Sequence, residues 1–284
     1  MQARLTVTKT LRTRTPFAAD ELLAFLALRA VPGIEHVAGG TYHRTLRLPG
    51  GPAVISVHLR AASLRVVAQL SSAADEAPAL EAARRIFDLA ADAPRIDARL
   101  GDDPLLAPLV ARRPGLRSPG TADGAELLIR AITGQQVSVA GARTTLGKLV
   151  AAHGEPIGGD RLTHLFPSPE RLAEADPAAL GMPRSRGAAI VGAARACADG
   201  LHLEPDADRA TTRERLLALR GIGPWTADYV AMRALGDRDA FLPSDLGVRH
   251  ALTALGGGDP DRWRPYRAHA VHHLWASLEF LSSR

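Results

Sequence analysis

The sequence predicts an α+β N-terminal domain, an antiparallel sheet with helices, followed by a mainly α-helical region. Three observations lead to this fold class. Alternating polar and apolar runs are confined to residues 1–91, apolar residues recur at helical spacing from about Pro94 onward, and proline and glycine separate the segments. The 284 residues are 46% hydrophobic and 23% charged, a composition typical of a soluble globular protein with a buried core.

The N-terminal residues 1–91 contain four predicted strands and two predicted helices. Alternation predicts the strands Leu5–Arg12, Thr41–Leu48, Ala53–Arg60 and Leu64–Ser71. Apolar residues three and four apart predict the helices Asp20–Ala30 and Glu76–Ala91. The order strand, helix, three strands, helix predicts a small antiparallel sheet with helices packed on one face.

The rest of the chain contains eight predicted helices with short connections, which favours a helical bundle. They are Glu126–Thr133, Val137–His153, Pro169–Ala175, Arg186–Asp199, Thr212–Leu219, Trp225–Leu235, Leu246–Leu255 and Tyr266–Phe280. We divide the chain into the α+β domain (1–91), a connector that packs with the C-terminal helices (92–118), a helical domain (119–237) and a C-terminal helical domain (238–284).

Composition excludes several classes of protein. The single cysteine, Cys197, rules out an internal disulfide framework, a four-cysteine zinc site and a four-cysteine iron–sulfur cluster. No apolar run reaches the length of a membrane-spanning helix, and the N-terminus has no secretion signal, so we expect a cytoplasmic protein. A net charge of +5 favours a polyanionic partner without establishing one. All but two of the basic residues are arginines, which a GC-rich genome also explains.

The segment Leu219–Trp225 (Leu-Arg-Gly-Ile-Gly-Pro-Trp) joins two predicted helices. An apolar helix ends at Gly221-Ile-Gly223, and Pro224 stands in the first turn of the next helix, where proline is tolerated. The glycines leave backbone N–H groups bare at a helix N-terminus, where a phosphate binds readily. An ordinary tight turn between helices explains the same Gly-x-Gly pattern.

Asp245 follows Trp225 by 20 residues and directly precedes the predicted helix Leu246–Leu255. One interpretation is an N-cap carboxylate that contributes about 1 kcal/mol to helix stability and nothing else. The other keeps the N-cap position but directs the carboxylate into a cleft that faces the hairpin.

Together these segments resemble the helix-hairpin-helix/Gly-Pro-Asp superfamily of DNA base-excision glycosylases, and within it the 3-methyladenine DNA glycosylase II branch. The resemblance covers nearly the whole chain and implies a helix-hairpin-helix glycosylase core behind the α+β domain. Its motifs are Arg113–Arg117, Ala131–Ser138, Ala175–Pro183, the hairpin, Phe241–Asp245, Arg262–Tyr266 and His273–Trp275.

By this resemblance Asp245 is the catalytic aspartate. Its carboxylate would stabilise the positive charge that develops on C1′ and the ring oxygen of the sugar, and would orient or deprotonate the attacking water. Trp225, Tyr229 and Trp275 occupy the positions of the family's base-pocket aromatics, where a cationic base gains roughly 0.5–2 kcal/mol from cation–π attraction. The alternative for the three aromatics is core packing at helical spacing.

The resemblance assigns DNA contacts to two turns. Gly221, Gly223 and Thr226 belong to the phosphate-binding hairpin, and Gln135 and Gln136 lie in the turn whose side chain fills the space left by a flipped base. The best-known family member has leucine where this chain has Gln136, and a glutamine there would hydrogen-bond the orphaned partner base. Both glutamines also fit an ordinary polar helix N-terminus.

No organic cofactor is implied. Superfamily members that also cut the strand carry a lysine nucleophile where this chain has Trp225, so Schiff-base lyase chemistry has no agent. Three histidines of the last predicted helix lack the pattern of a zinc site. The resemblance implies one monovalent cation, held by backbone carbonyls around Leu219 and Ile222.

The expected function is a monofunctional DNA glycosylase that hydrolyses the N-glycosidic bond of alkylated purines of the 3-methyladenine and 7-methylguanine type. Its expected partner is double-stranded DNA containing damaged bases, with no membrane, and we expect a monomer associated with the nucleoid. Two alternatives stay open: a catalytically silent helix-hairpin-helix protein that binds lesions or abasic sites, and a glycosylase for deaminated or etheno bases.

Overall fold

The computed structural model describes residues 5–281 and begins with a five-stranded antiparallel sheet in the spatial order β1-β5-β4-β3-β2. Alternate residues of the central strand, among them Ile55 and Val57, are fully buried, so one face of the sheet packs against helices. The predicted α+β fold class is confirmed. The strands are β1 (Leu5–Arg12), β2 (Glu35–Ala38), β3 (Thr41–Leu48), β4 (Gly51–Arg60) and β5 (Ser63–Leu70).

Two helices cover the buried face of the sheet, α1 (Ala19–Arg29) and α2 (Glu76–Ile86). Leu22 and Leu26 of α1 are buried four residues apart, as expected for one face of a helix, and pack in the same cluster as the sheet residues. Ile86 of α2 joins this cluster at the end of its helix. The predicted helices over the sheet are thus present.

The second of these helices is shorter than the predicted Glu76–Ala91. Asp88 adopts a φ of 47°, in the left-handed region that a helix cannot continue through. Its carboxylate accepts hydrogen bonds from the backbone N–H of Ser118 at 3.1 Å and from Nε2 of His269 at 3.0 Å. These tertiary contacts hold Asp88 in place and end α2 five residues early.

The helical region follows as ten helices within the part of the chain that the structure describes. Two of them, α3 and α4, lie in the 92–118 connector, to which the sequence analysis assigned no helix, and their apolar residues pack with α12. The helices are α3 (Ala93–Gly101), α4 (Ala107–Arg112), α5 (Gly124–Thr133), α6 (Val139–His153), α7 (Pro169–Ala173), α8 (Arg184–Ala198), α9 (Arg209–Leu217), α10 (Pro224–Arg233), α11 (Leu246–Ala254) and α12 (Arg267–Leu281). A small two-stranded sheet joins β6 (Glu155–Pro156) to β7 (His164–Leu165).

A buried network of charges connects the N-terminal sheet to α5. Arg44 on β3 donates to Glu126 on α5 at 2.7 Å, and Arg130, one turn further along α5, donates to Glu126 at 2.8 Å and to Glu35 on β2 at 3.0 Å. Tyr42 donates to Glu35 at 2.5 Å. Burial alone would raise the pKa of Glu35, but Arg130 and Arg44 hold it below its usual value. Two arginines therefore balance two glutamates, and the network fixes the start of the α5–α6 turn against the sheet.

The edge strand β2 was not predicted. Its first residue, Glu35, is paired with Arg44 in the β2–β3 register, and both side chains are buried as an ion pair. A four-residue strand that buries a carboxylate does not show the apolar alternation by which strands are recognised.

Candidate active site

The hairpin between α9 and α10 has the conformation that its glycines allow. Gly221 adopts a φ of 87°, and a Cβ added there would lie 2.8 Å from Cβ of Ala189 on α8, so both its backbone and its close approach require glycine. Gly223 precedes Pro224 at the N-terminus of α10 with an ordinary φ of −105° and open space around its Cα. The hairpin therefore packs tightly on α8 at one glycine and presents bare backbone at the other.

Gln135 connects the α5–α6 turn to this hairpin. Its side-chain Nε2 donates to the carbonyl of Gly221 and to Oγ1 of Thr226, both at 3.0 Å, and Thr226 is buried. Gln136 has a φ of 56°, in the left-handed region, and its side chain is exposed. Hydrogen bonds thus join three of the five expected DNA-contact residues, Gln135, Gly221 and Thr226, and Gly223 lies beside them in the hairpin. The side chain of the fifth, Gln136, is exposed.

Asp245 is the N-cap of α11 and also the hydrogen-bonding centre of a cleft. Oδ1 accepts the backbone N–H of Val248 at 2.9 Å, which is the cap, and the indole Nε1–H of Trp275 at 2.8 Å. Oδ2 accepts the indole Nε1–H of Trp225 at 2.9 Å. Three N–H donors fix the carboxylate, and Oδ2 keeps a further acceptor position. The two interpretations of Asp245, cap and cleft carboxylate, are therefore both realised in its geometry.

Aromatic rings form the walls beside this carboxylate. The rings of Trp225 and Tyr229, one turn apart on α10, are stacked with centroids 5.2 Å apart and an interplanar angle of 9°. Trp275 on α12 is stacked on Phe25 of α1 at 6.5 Å and 19°. The three predicted aromatics are only half-buried, as the walls of an open cleft are. Phe25, from the N-terminal domain, was not among the predicted site residues.

These groups line a cavity of about 1100 Å³. Of the sequence-predicted site residues, those that line it are Asp245, Trp225, Tyr229, Trp275, Gln135, Gln136, Gly223 and Thr226. Gly221, Leu219 and Ile222 do not; they form the hairpin behind the wall. The lining combines apolar side chains with the carboxylates of Asp245 and Glu35 and several arginines, and a cavity of this size is large enough for an unstacked purine.

Five arginines that were not predicted also line the cavity: Arg29, Arg44, Arg130, Arg143 and Arg233. Arg233 on α10 donates to the hydroxyl of Tyr229 at 2.9 Å, and Arg29 on α1 lies with Cζ 3.8 Å from the ring centroid of Phe25. Burial alone would raise the pKa of Tyr229, but the charges of Arg233 and Arg29 hold it below its usual value. Arg29 follows Phe25 by four residues on α1, and this spacing places the two side chains on one face of the helix. It does not indicate that this face contributes to a cavity shared with the helical region.

Among residues 5–281 no group of three histidine, cysteine or acidic side chains is arranged to hold a metal ion. His273 is buried, and burial lowers its pKa to about 3, so it stays neutral within the core. The backbone carbonyls proposed for a monovalent cation fit such an ion in donor chemistry, although that of Leu219 also accepts the N–H of Ile222 at 3.1 Å.

None of the helices in the described part of the chain is both long and apolar enough to cross a membrane.

Two family models match the chain. The AlkA N-terminal domain matches residues 8–123, and the HhH-GPD superfamily base excision DNA repair protein model matches residues 129–277. The second match includes the α5–α6 turn, the hairpin and the elements that carry Asp245 and Trp275.

Individual relatives agree with these models. The "Probable bifunctional transcriptional activator/DNA repair enzyme AlkA" of Mycobacterium tuberculosis is 44% identical over 96% of this chain, which spans only 58% of that longer relative. The "DNA-3-methyladenine glycosylase 2" of Escherichia coli is 34% identical over 94% of this chain and 96% of its own length. The solved "3-methyladenine dna-glycosylase from Archaeoglobus fulgidus" superposes with a TM-score of 0.85 at 22% identity, over 96% of this chain and 99% of that one.

The resemblance inferred from the sequence motifs is therefore confirmed: this chain belongs to the HhH-GPD superfamily of base excision DNA repair proteins and carries an AlkA-type N-terminal domain.

Proposed function

We propose that the chain is a monofunctional DNA glycosylase that removes alkylated purines of the 3-methyladenine and 7-methylguanine type from duplex DNA. The observation that carries the proposal is the carboxylate of Asp245, held by the indole N–H groups of Trp225 and Trp275 at the wall of an aromatic cavity. A helix cap alone needs only the Val248 hydrogen bond and gives no reason for two indole donors.

The charge changes of the reaction suit this arrangement. In an alkylated purine nucleotide the base is cationic; when the bond from C1′ to the base nitrogen breaks, its electron pair moves to the base and neutralises it. Positive charge then develops on C1′ and the ring oxygen, where the carboxylate of Asp245 stabilises it. A water molecule adds its oxygen to C1′ and gives up one proton, which the free acceptor position on Oδ2 can receive.

The aromatic walls suit the same substrate. A planar cation that enters between the indole rings of Trp225 and Trp275 is attracted by their electron-rich faces, by roughly 0.5–2 kcal/mol for each good contact. The stacked pair of Trp225 and Tyr229 presents a flat surface parallel to such a base. A base paired in the duplex cannot reach this surface, so the proposal requires base flipping.

DNA would be held by the elements around the cleft mouth. The exposed backbone at Gly223, at the N-terminus of α10, would bind a DNA phosphate. The hydrogen bond from Gln135 to the buried Thr226 stabilises the hairpin. Gln136 projects from the adjoining turn and is proposed to occupy the space of the flipped base and to hydrogen-bond its former partner. The carbonyls of the hairpin would hold a monovalent cation that adds positive charge at the phosphate.

The proposed reaction leaves the DNA strand uncut. Lys9 lies on β1 and Lys148 on α6, and neither lines the cavity, so within residues 5–281 no lysine is placed to form a Schiff base with the abasic sugar. The product is therefore an intact strand with an abasic site.

We further propose that the chain acts as a monomer on DNA in the cytoplasm, at the nucleoid.

Asp245→Asn tests the proposal. Asparagine is an equally good N-cap through Oδ1, so the variant should still fold, but it lacks the negative charge, and its amide NH2 cannot accept the indole N–H of Trp225. On a duplex with a single 7-methylguanine we expect the rate of base release to fall by at least a hundredfold. Affinity for a duplex with a tetrahydrofuran abasic analogue should change by less than about threefold. If excision persists at the wild-type rate, Asp245 is only a cap; if neither protein releases the base but both bind DNA, the chain is a lesion reader.

A further inference from the structure

Arg186, in the first turn of α8, binds the backbone of the α5–α6 turn. Its Nη2 donates to the backbone carbonyl of Gln135 at 2.7 Å. In the described part of the chain Arg186 makes no ion pair, and this is its one side-chain hydrogen bond. Gln135 directly precedes Gln136, the residue proposed to occupy the space of a flipped base. A charged donor from another helix therefore holds the peptide group next to Gln136.

The turn has only long backbone hydrogen bonds around Gln136. Those donated by the N–H groups of Gln135 and Val137 have N···O distances of 3.3 and 3.5 Å. Gln136 between them has a φ of 56°, a left-handed conformation that is unfavourable for a residue with a side chain and persists only where its surroundings hold it. The bond from Arg186 is shorter than either of these and is charge-assisted. The conformation of Gln136 therefore depends on a contact from outside the turn.

Two further contacts connect the turn and α8 to the hairpin. The side chain of Gln135 donates to the carbonyl of Gly221 at 3.0 Å. Gly221 approaches α8 so closely that a Cβ added to it would lie 2.8 Å from Cβ of Ala189. Ala189 follows Arg186 by three residues, so the two lie on the same side of α8. The turn, the hairpin and α8 thus contact one another in pairs, and Arg186 provides the hydrogen bond between α8 and the turn.

The stability of α8 does not explain an arginine at this position. The N-terminus of a helix carries partial positive charge, which disfavours cations in the first turn. The first turn of α8 contains no acidic residue, and it carries Arg184 as well as Arg186. The hydrogen bond to Gln135 is the interaction in the structure that offsets this unfavourable charge.

Building on the proposed function, we infer that Arg186 is a positioning residue for base flipping. It fixes the carbonyl of Gln135 and thereby holds Gln136 in the conformation in which the exposed glutamine side chain enters the duplex. Because Arg186 acts through Gln136, its effect depends on the base opposite the lesion. A paired lesion must be separated from its partner, and Gln136 must take the vacated space. A lesion opposite an abasic analogue has no partner base to separate or to hydrogen-bond, so a fixed turn offers little gain.

The test uses two duplexes that differ only in the residue opposite a single 7-methylguanine, which is either cytosine or a tetrahydrofuran abasic analogue. We measure kcat/KM for base release by wild type, Arg186→Met, Arg186→Lys, Gln136→Ala and the double variant Arg186→Met/Gln136→Ala. Arg195→Met is the matched control, because Arg195 also lies on α8 and donates from Nε to a backbone carbonyl, that of Ala173, at 3.1 Å. The ratio of the two rates cancels any difference in the folded fraction.

We expect Arg186→Met to lower kcat/KM by about tenfold when cytosine is opposite the lesion and by less than about threefold when the abasic analogue is there. Arg186→Lys should recover part of the loss, and Arg195→Met should change neither rate. In the Gln136→Ala background, Arg186→Met should lower the rate on the cytosine duplex by less than about threefold, because the side chain through which it acts is already absent.

Three outcomes would overturn the inference. Equal losses on the two duplexes would mean that Arg186 supports the fold or contacts DNA directly. A full tenfold loss in the Gln136→Ala background would mean that it acts independently of that side chain. Wild-type rates for Arg186→Met or for Gln136→Ala would mean that the turn is not needed for flipping. A wild type that releases 7-methylguanine from neither duplex would instead contradict the proposed function itself.

Discussion

At the scale of single residues, the site is a set of hydrogen bonds to one carboxylate. The residue type of Asp245, its distance from the hairpin and its position before a helix left two interpretations open, a helix cap and a cleft carboxylate, and only the family resemblance predicted a catalytic role. Trp225 and Trp275 could be predicted from family resemblance, but not the fact that both indoles donate to the same carboxylate. That convergence depends on how α10 and α12 meet, which no local pattern determines.

Trp275→Phe should separate the hydrogen bond from the aromatic wall. Phenylalanine keeps a ring that can stack on Phe25 but removes the N–H that holds Oδ1 of Asp245. A hydrogen bond to a charged group contributes about 1.5–3 kcal/mol, so we expect release of 7-methylguanine to slow by about ten- to a hundredfold under single-turnover conditions.

Trp263→Phe is the matched control for this change. Trp263 is fully buried away from the cavity, and its Nε1 has no hydrogen-bond partner within the described residues. The substitution therefore removes an N–H that makes no contact, and the excision rate of the folded protein should not change. Equal rates for Trp275→Phe and wild type would show that the indole bond does not position Asp245.

Phe25 and Arg29 show where residue-level prediction ends. Both follow the helical spacing of α1, whose buried face carries Leu22 and Leu26 over the sheet. Nothing in that spacing shows that the adjoining face of α1 meets α10 and α12, because these contacts join segments about 200 to 250 residues apart. Residues that complete a site across domains are invisible to a motif search.

At the scale of elements, the hairpin and the α5–α6 turn act as one unit through Gln135. The Gly-x-Gly spacing predicts the hairpin correctly, but it treats the two glycines alike. In the structure only Gly221 has a positive φ and a close neighbour, whereas Gly223 has neither. The two positions should therefore respond differently to the same substitution.

Gly221→Ala and Gly223→Ala form a matched pair. At Gly221 a methyl group meets Ala189 at 2.8 Å and the backbone conformation is unfavourable, so we expect the free energy of unfolding to fall by about 1–3 kcal/mol in urea titrations. At Gly223 the methyl group enters open space, and stability should change by less than about 0.5 kcal/mol.

The second measurement on Gly223→Ala is its affinity for DNA. A methyl group at Gly223 covers the backbone proposed to bind a phosphate. Gly223→Ala should therefore bind an abasic-analogue duplex several-fold more weakly although it is folded. If Gly223→Ala binds as tightly as wild type, the hairpin is a structural turn and DNA is held elsewhere.

Short elements account for most of the errors in the predicted fold. Helices α3 and α4 are short and lie among several prolines, and β2 buries an ion pair in place of apolar residues. The end of α2 is set by Asp88, whose partners Ser118 and His269 come from distant parts of the chain. Local periodicity identifies long amphipathic segments well and fails where tertiary contacts replace apolar burial.

At the scale of the whole molecule, the cavity exists because two regions of the chain meet. The α+β domain contributes Phe25 and Arg29, the helical core contributes the carboxylate and the indoles, and the buried charges of Glu35, Arg44 and Arg130 hold the two regions together. The fold class and the order of the regions could be predicted from composition and periodicity, whereas their shared site could not. On this account the N-terminal domain is a part of the base pocket rather than an accessory.

The most direct measurement is the identification of products from the wild-type protein on methylated duplex DNA. Free bases are resolved by chromatography, and the strands are examined on a denaturing gel before and after alkali. We expect free 3-methyladenine and 7-methylguanine, with strands that stay intact until alkali cleaves them at abasic sites. Strands cut without alkali would contradict the monofunctional mechanism, and the absence of any free base from DNA that the protein binds would contradict the proposal that Asp245 belongs to a glycosylase site.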